Sequence, residues 1–371
     1  MSVDWKAVRE EFPALKNWTY LNTATFGQLS RRSTEAVVRH FAHRDEMACA
    51  DFLNWFDDMD RIRGKVGQLF GCEAGDVAFI QNASSGLAIL LSGLKWRAGD
   101  TVVTLENEFP NNLYAPALLQ SRGVTMVACP WERLESIVEQ HHTRVVVLST
   151  VNYNTGFRPP LEELSRFLHD RGVLLFVDGT QSAGALRFDI RKVQPDVFAV
   201  NSYKWLNGPN GAGFLYVSPE LRETLPPLNV GWRSHYDWRN VDHLHHGIPE
   251  MVRTAEKYEG GMLPFALLYA MEAAIDLVLE IGGDVVEQRV LDLATQTRGL
   301  LSEFGATVNQ DAAPIVAAKF EGRDVSKLAL DLKQERILVA ARKGNLRVSP
   351  HFYNNEDDLD ALRQGLRELL G

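Results

Sequence analysis

One lysine of this sequence lies where covalent chemistry is possible. Lys204 follows the apolar run 197–200, within the polar run Asn-Ser-Tyr-Lys-Trp-Leu-Asn-Gly at 201–208. Desolvation at the end of a strand lowers the pKa of a lysine and frees its amine to form a Schiff base. A single lysine is more often an ordinary surface residue, so other motifs are needed to distinguish a reactive lysine from a surface lysine.

Two further motifs could serve the same chemistry. Asp178 ends the apolar run 174–177, where a partly desolvated carboxylate needs a cation or a hydrogen-bond donor, although it could equally cap the next helix. Ser84 and Ser85 follow the run 77–80 at a predicted helix start, where hydroxyl groups and free backbone N–H groups can bind a phosphate. Alone, such serines are more often ordinary helix caps. In sequence order, a phosphate-binding turn, an acid and a lysine 26 residues further on form a more specific pattern.

The region between residues 77 and 217 predicts the elements that position these side chains. Short apolar runs alternate with helical stretches, and several runs are apolar throughout, as in strands that helices cover on both faces. This alternation predicts a mostly parallel sheet that binds its ligands at the carboxyl ends of the strands. The predicted strands are 77–80, 101–105, 125–128, 145–149, 174–178, 197–200 and 213–217, and the predicted helices include 84–95, 112–121 and 160–171.

The character of the sequence changes after residue 220. A loop region rich in Trp, His and Pro covers 226–249, a long helix follows around 264–280, and a smaller mixed segment covers about 285–371. We therefore predict a large α/β domain over residues 21–260. A smaller α+β domain is predicted over residues 261–371, with residues 1–20 packed against it.

Composition excludes several classes of function. The net charge of −9 and the absence of a basic cluster argue against nucleic acid as a partner. No apolar run approaches the roughly 20 residues of a membrane span, and no export signal is recognisable at the start. Cys49, Cys72 and Cys129 are expected to be reduced thiols, and the histidines of 242–246 lack the spacing of metal ligands. We expect a cytoplasmic protein without a metal.

Taken together, the motifs resemble the class V aminotransferase family of fold-type-I pyridoxal-phosphate enzymes. This family includes cysteine desulfurases, kynureninases and isopenicillin-N-epimerase-like proteins. The resemblance covers nearly the whole chain, from Tyr-Leu-Asn-Thr-Ala at 20–24 to Leu-Arg-Val-Ser-Pro-His-Phe-Tyr-Asn at 346–354. It implies a mostly parallel seven-stranded sheet with helices on both faces and a smaller C-terminal α+β domain. It also implies pyridoxal 5′-phosphate as cofactor and a homodimer with active sites near the interface.

The resemblance gives a role to each candidate residue. Lys204 would form the Schiff base and carry the Cα proton, and Asp178 would pair with the pyridine nitrogen. Arg347 would bind the substrate α-carboxylate, which a planar guanidinium can hold with two hydrogen bonds. One arginine in that place suits an amino acid with a single carboxylate. The other cofactor contacts would be the phosphate ligands Ser84, Ser85 and Tyr203, the ring-stacking Phe109, and Gln181 and Asn152 beside the ring.

The reaction type stays open at this point, because these residues serve several reactions equally. The resemblance implies an L-amino acid that is bound as an external aldimine and deprotonated at Cα. C–S β-elimination from an S-substituted cysteine and transamination come first, with epimerisation and kynureninase-like C–C cleavage as alternatives. A non-catalytic scaffold is an alternative of another class, against which the intact Lys204, Asp178 and Arg347 argue.

Two departures from the family pattern bear on these alternatives. Desulfurases carry a nucleophilic cysteine in the loop before the arginine-containing strand, whereas residues 339–345 contain none. Persulfide-forming desulfuration is therefore not expected. Relatives often have a threonine near the position of Met262 that reaches the partner subunit's phosphate, and this sequence lacks it.

Overall fold

The computed structural model describes residues 3–371. The α-helices are α1 (Trp5–Glu10), α2 (Arg31–Met47), α3 (Phe52–Phe70), α4 (Ala83–Gly93), α5 (Asn111–Ala117), α6 (Leu134–Gln140), α7 (Leu161–His169), α8 (Ile190–Val193), α9 (Pro219–Thr224), α10 (Phe265–Ile281), α11 (Gly283–Glu303), α12 (Val325–Gln334) and α13 (Glu356–Leu370). The strands are β1 (Thr19–Tyr20), β2 (Val77–Ile80), β3 (Thr101–Leu105), β4 (Thr125–Cys129), β5 (Thr143–Ser149), β6 (Leu174–Asp178), β7 (Val197–Asn201), β8 (Gly213–Val217), β9 (Thr307–Val308), β10 (Val316–Lys319), β11 (Ile337–Leu338), β12 (Ala340–Arg342) and β13 (Asn345–Val348).

A seven-stranded sheet with the order β2-β8-β7-β6-β5-β3-β4 forms the centre of the large part of the chain. Only β8 runs against its two neighbours, and the other strands are parallel to one another. The prediction of a mostly parallel seven-stranded sheet is thus confirmed. All seven predicted strands are present, and their ends differ from the prediction by at most two residues.

Helices cover both faces of this sheet, which explains why its strands are apolar at almost every position. Side chains alternate between the faces with a period of two. Phe198 and Val177 therefore join a core with α3 and α10 on one side, while Phe176 and Ala199 join a core with α4 on the other. Every residue of β3, β7 and β8 is buried.

The predicted helix 112–121 is two elements in the structure. Helix α5 ends at Ala117, and a tighter 3-10 turn continues from Leu118 to Arg122. Pro116 lies at this junction and has no N–H group to continue the α-helical hydrogen bonds. Within residues 3–371, none of the helices combines the length and the apolar character that crossing a lipid bilayer requires.

A smaller four-stranded antiparallel sheet with the order β12-β13-β10-β9 lies in the C-terminal part of the chain. The N-terminal segment is attached to the same part: β1 pairs with β11, and Asn22 bridges to Ser349. Arg9 makes a bidentate ion pair with the buried Asp358, with N–O distances of 2.7 and 3.0 Å. These contacts join the N-terminal segment to the C-terminal part of the chain. The division into domains at residues 20 and 260 stays a prediction, and residues 1 and 2 lie outside the described residues.

Replacing Asp358 by alanine should test how strongly the N-terminal segment contributes to stability. Besides Arg9, Asp358 accepts hydrogen bonds from the Asn354 side chain and the Asn355 N–H. We expect Asp358→Ala to lower the free energy of unfolding by about 2 kcal/mol, because a partly buried guanidinium and two donors lose their acceptor. Urea denaturation measures the change. Asp360→Ala, at an exposed position of the same helix, is the matched control, and equal losses in both variants would contradict the expectation.

Candidate active site

The predicted site residues lie at one edge of the large sheet. Parallel strands end at the same edge, so the loops after β2, β3, β5, β6 and β7 converge there. A direct contact ties two of them together: the N–H of Ala83, at the start of α4, donates to Asn201 Oδ1 at the end of β7. The N–O distance is 2.7 Å.

Lys204 is a buried amine with aromatic neighbours. Its Nζ lies 5.3 Å from the ring centre of Phe109 and 5.8 Å from that of Tyr203. Burial lowers the pKa of Lys204 to about 8; the carboxylate of Asp178 opposes this shift, and the nearby arginines 347 and 342 add to it. The amine is therefore largely neutral slightly above pH 8, as a nucleophile or a base requires.

Asp178 is the last residue of β6, and it is buried close enough to Lys204 for each charge to influence the pKa of the other. Its Oδ1 accepts a hydrogen bond of 2.9 Å from the Thr180 N–H, and the Thr180 hydroxyl accepts one from the N–H of Asn201. Burial raises the pKa of Asp178, while hydrogen bonding to Thr180 and the charge of Lys204 lower it. A cationic partner would stabilise the ionised form of this carboxylate further. Thr180 is a positioning residue that sequence reasoning missed.

Ser84 and Ser85 occupy the first turn of α4, but neither is its cap. The cap is Asn82, whose side chain accepts from the N–H of Ser85 at 3.0 Å. The Ser85 hydroxyl donates to the same oxygen at 3.3 Å. Within residues 3–371, the Ser84 hydroxyl has no hydrogen-bond partner. Since the positive end of the α4 dipole lies here, the turn suits an anion.

Phe109 lies over the site with about a third of its surface exposed. Its ring contacts that of Tyr153 edge to face at 5.2 Å. The preceding residue, Glu108, is a buried carboxylate that sequence reasoning also missed. It accepts from the N–H and the hydroxyl of Ser149, at 2.8 and 2.6 Å, and from Asn112 and the N–H of Phe109. Glu108 thus fixes the loop after β3 to the end of β5.

Asn152 and Gln181, which were predicted to contact the cofactor, use their side-chain amides for hydrogen bonds to neighbouring segments of the chain. Asn152 donates to the Asn107 carbonyl at 2.8 Å and accepts from two backbone N–H groups of its own turn. Gln181 donates to the Ala24 carbonyl at 3.1 Å and accepts from the indole N–H of Trp205 at 2.8 Å. Both residues shape the site, and each retains one amide hydrogen for a ligand.

Tyr203 lies between the lysine and the N-terminal segment. Its ring packs against that of Phe26 with 5.1 Å between the ring centres. Burial raises the pKa of Tyr203, so the phenol stays protonated at neutral pH and can act as a hydrogen-bond donor.

Arg347 is a fully buried guanidinium that has no carboxylate partner among residues 3–371. Its Nη1 donates to the Tyr153 carbonyl at 2.7 Å and its Nη2 to the Thr25 hydroxyl at 2.6 Å. Its Nε is buried and has no hydrogen-bond partner in the described part of the chain. Burial and the neighbouring Arg342 lower the pKa of Arg347 to about 9. A buried cation of this kind lacks a counter-ion, and a ligand carboxylate would supply one.

The structure therefore brings together Lys204, Asp178, Phe109, Tyr203 and Arg347 through contacts or direct electrostatic influence. The serine turn joins them through Asn201. In the histidine-rich loop, the rings of His235 and His245 stack 4.3 Å apart, and His245 is exposed. In the described part of the chain, no three His, Cys, Asp or Glu side chains are grouped as metal ligands.

Comparison with known proteins yields one family and several relatives. The model of the aminotransferase class V family matches residues 39–362. A probable cysteine desulfurase of Methanothermobacter thermautotrophicus is 25% identical over 98% of both chains, and the kynureninase of Pseudomonas fluorescens is 32% identical over 62% of this chain and 58% of its own. The fold superposes with a TM-score of 0.86 and 23% identity on the cystine C–S lyase C-DES in complex with its reaction product, cysteine persulfide, covering 96% and 98% of the two chains. The family resemblance and the predicted fold are confirmed.

In protein freed of any bound cofactor, the pKa of Lys204 can be tested through its reaction with an aromatic aldehyde. Because only the neutral amine reacts, we expect the rate to rise about tenfold per pH unit up to about pH 8 and then to level off. The adduct is trapped with borohydride and located by mass spectrometry. The exposed Lys343 is the internal control, and a rate at Lys204 that still rises above pH 10 would contradict the effect of burial.

Proposed function

The chain belongs to the class V aminotransferase family, and from this premise we propose that it eliminates the β-substituent of an S-substituted L-cysteine. In this family the cofactor is pyridoxal 5′-phosphate, and the protein is an enzyme of that type. One observation carries the proposal. A desolvated amine, Lys204, shares a site with a buried guanidinium, Arg347, for which a carboxylate is the missing partner.

The residues present fit this cofactor. Asp178, a buried carboxylate that needs a cationic partner, would hold the ring nitrogen, and the α4 turn with the unpartnered Ser84 hydroxyl would hold the phosphate. Phe109 would cover the ring, and Gln181, Asn152 and Tyr203 would contribute the remaining contacts with their free donors. When bound, pyridoxal phosphate supplies an aldehyde for Lys204 and a protonated ring that withdraws electrons from Cα.

The chain's own residues would perform three tasks. The Lys204 amine accepts the Cα proton, which its lowered pKa permits near pH 8. Arg347 binds the α-carboxylate and thereby fixes the orientation of the substrate. Asp178 keeps a negative charge below the site, with one oxygen held by the Thr180 N–H.

Elimination is favoured over desulfuration by the hairpin that carries Arg347. Only Lys343 and Gly344 separate β12 from β13, and neither strand nor the turn contains a cysteine. The three cysteines follow α2, follow α3 or end β4. No thiol of this segment can therefore accept sulfur. The balanced reaction is S-substituted cysteine plus water to thiol, pyruvate and ammonium, as the C–S bond breaks with its electron pair on sulfur.

Transamination uses the same residues and is the second candidate. Lys204 would then return the proton to the cofactor instead of supporting loss of the β-substituent, and a keto acid would be needed to complete each turnover. The membership of the aminotransferase class V family supports it. Epimerisation and C–C cleavage rank behind both candidates.

We also propose that the chain acts as a homodimer, as the family resemblance implies. Exposed apolar side chains of the N-terminal segment and α2 support this arrangement, with 46% of Phe26 and 49% of Phe41 exposed. Such side chains are more stable when a second copy covers them.

The product pattern with S-substituted cysteines separates the two candidates. Without a keto acid, an eliminating enzyme should release pyruvate over many turnovers and keep its cofactor absorbance. Bleaching after a single turnover, reversed only by a keto acid, would instead establish transamination.

Lys204→Ala should reduce turnover by at least about a thousandfold, because the Cα proton loses its acceptor. Near-normal turnover of this variant would contradict the role of Lys204.

Replacing Arg347 by alanine should mainly raise KM. We expect an increase of about 10- to 100-fold with a smaller change in kcat, since the substrate carboxylate loses about 1.5–3 kcal/mol of charged hydrogen bonding. Steady-state kinetics measure both constants. Arg323→Ala, at an exposed turn, is the control, and an unchanged KM in Arg347→Ala would show that another residue holds the carboxylate.

A further inference from the structure

The hairpin β12–β13 places a second arginine beside Arg347. Its turn, Lys343-Gly344, has φ angles of 44° and 82°, as the two-residue turns of tight hairpins require. Arg342 pairs with Asn345, and Ala340 pairs with Arg347. Paired residues share a face of an antiparallel hairpin, so Arg342 and Arg347 are diagonal neighbours on one face, within reach of long side chains.

Both guanidinium groups donate to one oxygen. The Thr25 hydroxyl lies 2.6 Å from Nη2 of Arg347 and 3.4 Å from Nη2 of Arg342. Apart from this contact, the one hydrogen bond that Arg342 donates among the described residues is to the carbonyl of Ala341. Within residues 3–371 neither arginine has a carboxylate within 4 Å. Two like charges in a partly desolvated site repel one another unless anions compensate them.

The acids of the site do not provide this compensation. Asp178 accepts a hydrogen bond from the Thr180 N–H and interacts electrostatically with Lys204. Glu108 accepts hydrogen bonds from Ser149, Asn112 and the Phe109 N–H. Nothing acidic in the described chain therefore balances the two arginines. One ligand carboxylate on Arg347 would leave the charge of Arg342 unpaired.

The two arginines also differ in depth. Arg347 is fully buried, whereas Arg342 is half-buried and nearer to the solvent. A substrate whose α-carboxylate lies on Arg347 can extend its side chain toward Arg342. The arrangement suits a ligand with one anionic group at the buried Arg347 and a second one at the more exposed Arg342.

We propose that Arg342 binds a second carboxylate, carried by the substrate side chain, so that the enzyme prefers amino acids with acidic side chains. This inference rests on the proposed function and names its substrate class. For elimination the class is S-carboxyalkyl cysteines, whose leaving thiol carries the carboxylate. For transamination it is dicarboxylic amino acids. The expectation of a substrate with one carboxylate, which considered Arg347 alone, is thereby revised.

Equilibrium binding to the holoenzyme tests the proposal without any turnover. Calorimetry compares glutarate with its monoamide, which has the same shape and one charge fewer. We expect the diacid to bind at least about tenfold more tightly, in line with a charged hydrogen bond. Arg342→Gln should weaken the binding of glutarate by a similar factor and leave the binding of the monoamide nearly unchanged. Equal binding of the two ligands to the wild-type enzyme would overturn the proposal.

Lys343→Asn is the matched control. It removes the same charge from the neighbouring exposed residue, and asparagine is favoured at this left-handed turn position. The variant should keep the preference for glutarate. If it loses the preference as fully as Arg342→Gln does, a diffuse positive field is responsible and the proposal fails. If Arg342→Gln weakens both ligands equally, Arg342 shares the first carboxylate with Arg347, which also overturns it.

Kinetics separate this inference from the proposed function. S-carboxymethyl-L-cysteine and S-carbamoylmethyl-L-cysteine differ only in an acid against an amide. We expect kcat/KM to favour the acid by about tenfold or more, and this ratio to approach one in Arg342→Gln. Release of pyruvate from both compounds at equal kcat/KM would support the elimination reaction but contradict the role of Arg342. Absence of turnover together with selective glutarate binding would retain Arg342 and reject the elimination.

Discussion

The removal of charged groups from water at one edge of the large sheet is the constraint on which the site depends. Lys204, Asp178 and Arg347 are all buried, and burial moves each of their pKa values toward the neutral form. The surrounding structure offsets part of that cost with hydrogen bonds from Thr180 and to Thr25. The remaining desolvation cost can be compensated by a charged ligand. The same buried charges therefore belong to the packed scaffold and also make the site reactive.

The strands and the two buried groups that end or follow them, Asp178 and Lys204, could be predicted from the sequence because they depend on a local pattern of residues. Continuous apolar runs predicted β6 and β7, and the polar residues that end or follow them, Asp178 and Lys204, lie at the edge where parallel strands end. The sequence could not show the partners of Arg347. Thr25 is more than 300 positions away, and the pairing of β1 with β11 that brings it near arises only when the chain termini meet.

Several side chains use some of their hydrogen-bonding groups to hold the structure and leave others free for a ligand. The residue type alone does not show how these groups are divided. Asn82 is the cap of α4, so the serines beside it keep their hydroxyl groups in the first turn. Gln181 and Asn152 use most of their amide groups to hold neighbouring loops. Glu108 looks like a solvated loop residue in the sequence, yet the structure buries it among donors. Such assignments need the coordinates of several loops at once.

The short hairpin that carries both arginines has an evolutionary consequence. Because side chains alternate along a strand, one residue inserted within β12 or β13 would transfer one guanidinium group to the opposite face. With the roles proposed above for the two arginines, the charge recognised on a substrate would then change although neither arginine had been substituted. Spacing in this hairpin would thus be a heritable determinant of substrate choice. Insertions and deletions there offer a short route by which descendants of one fold could diverge in the compounds they consume.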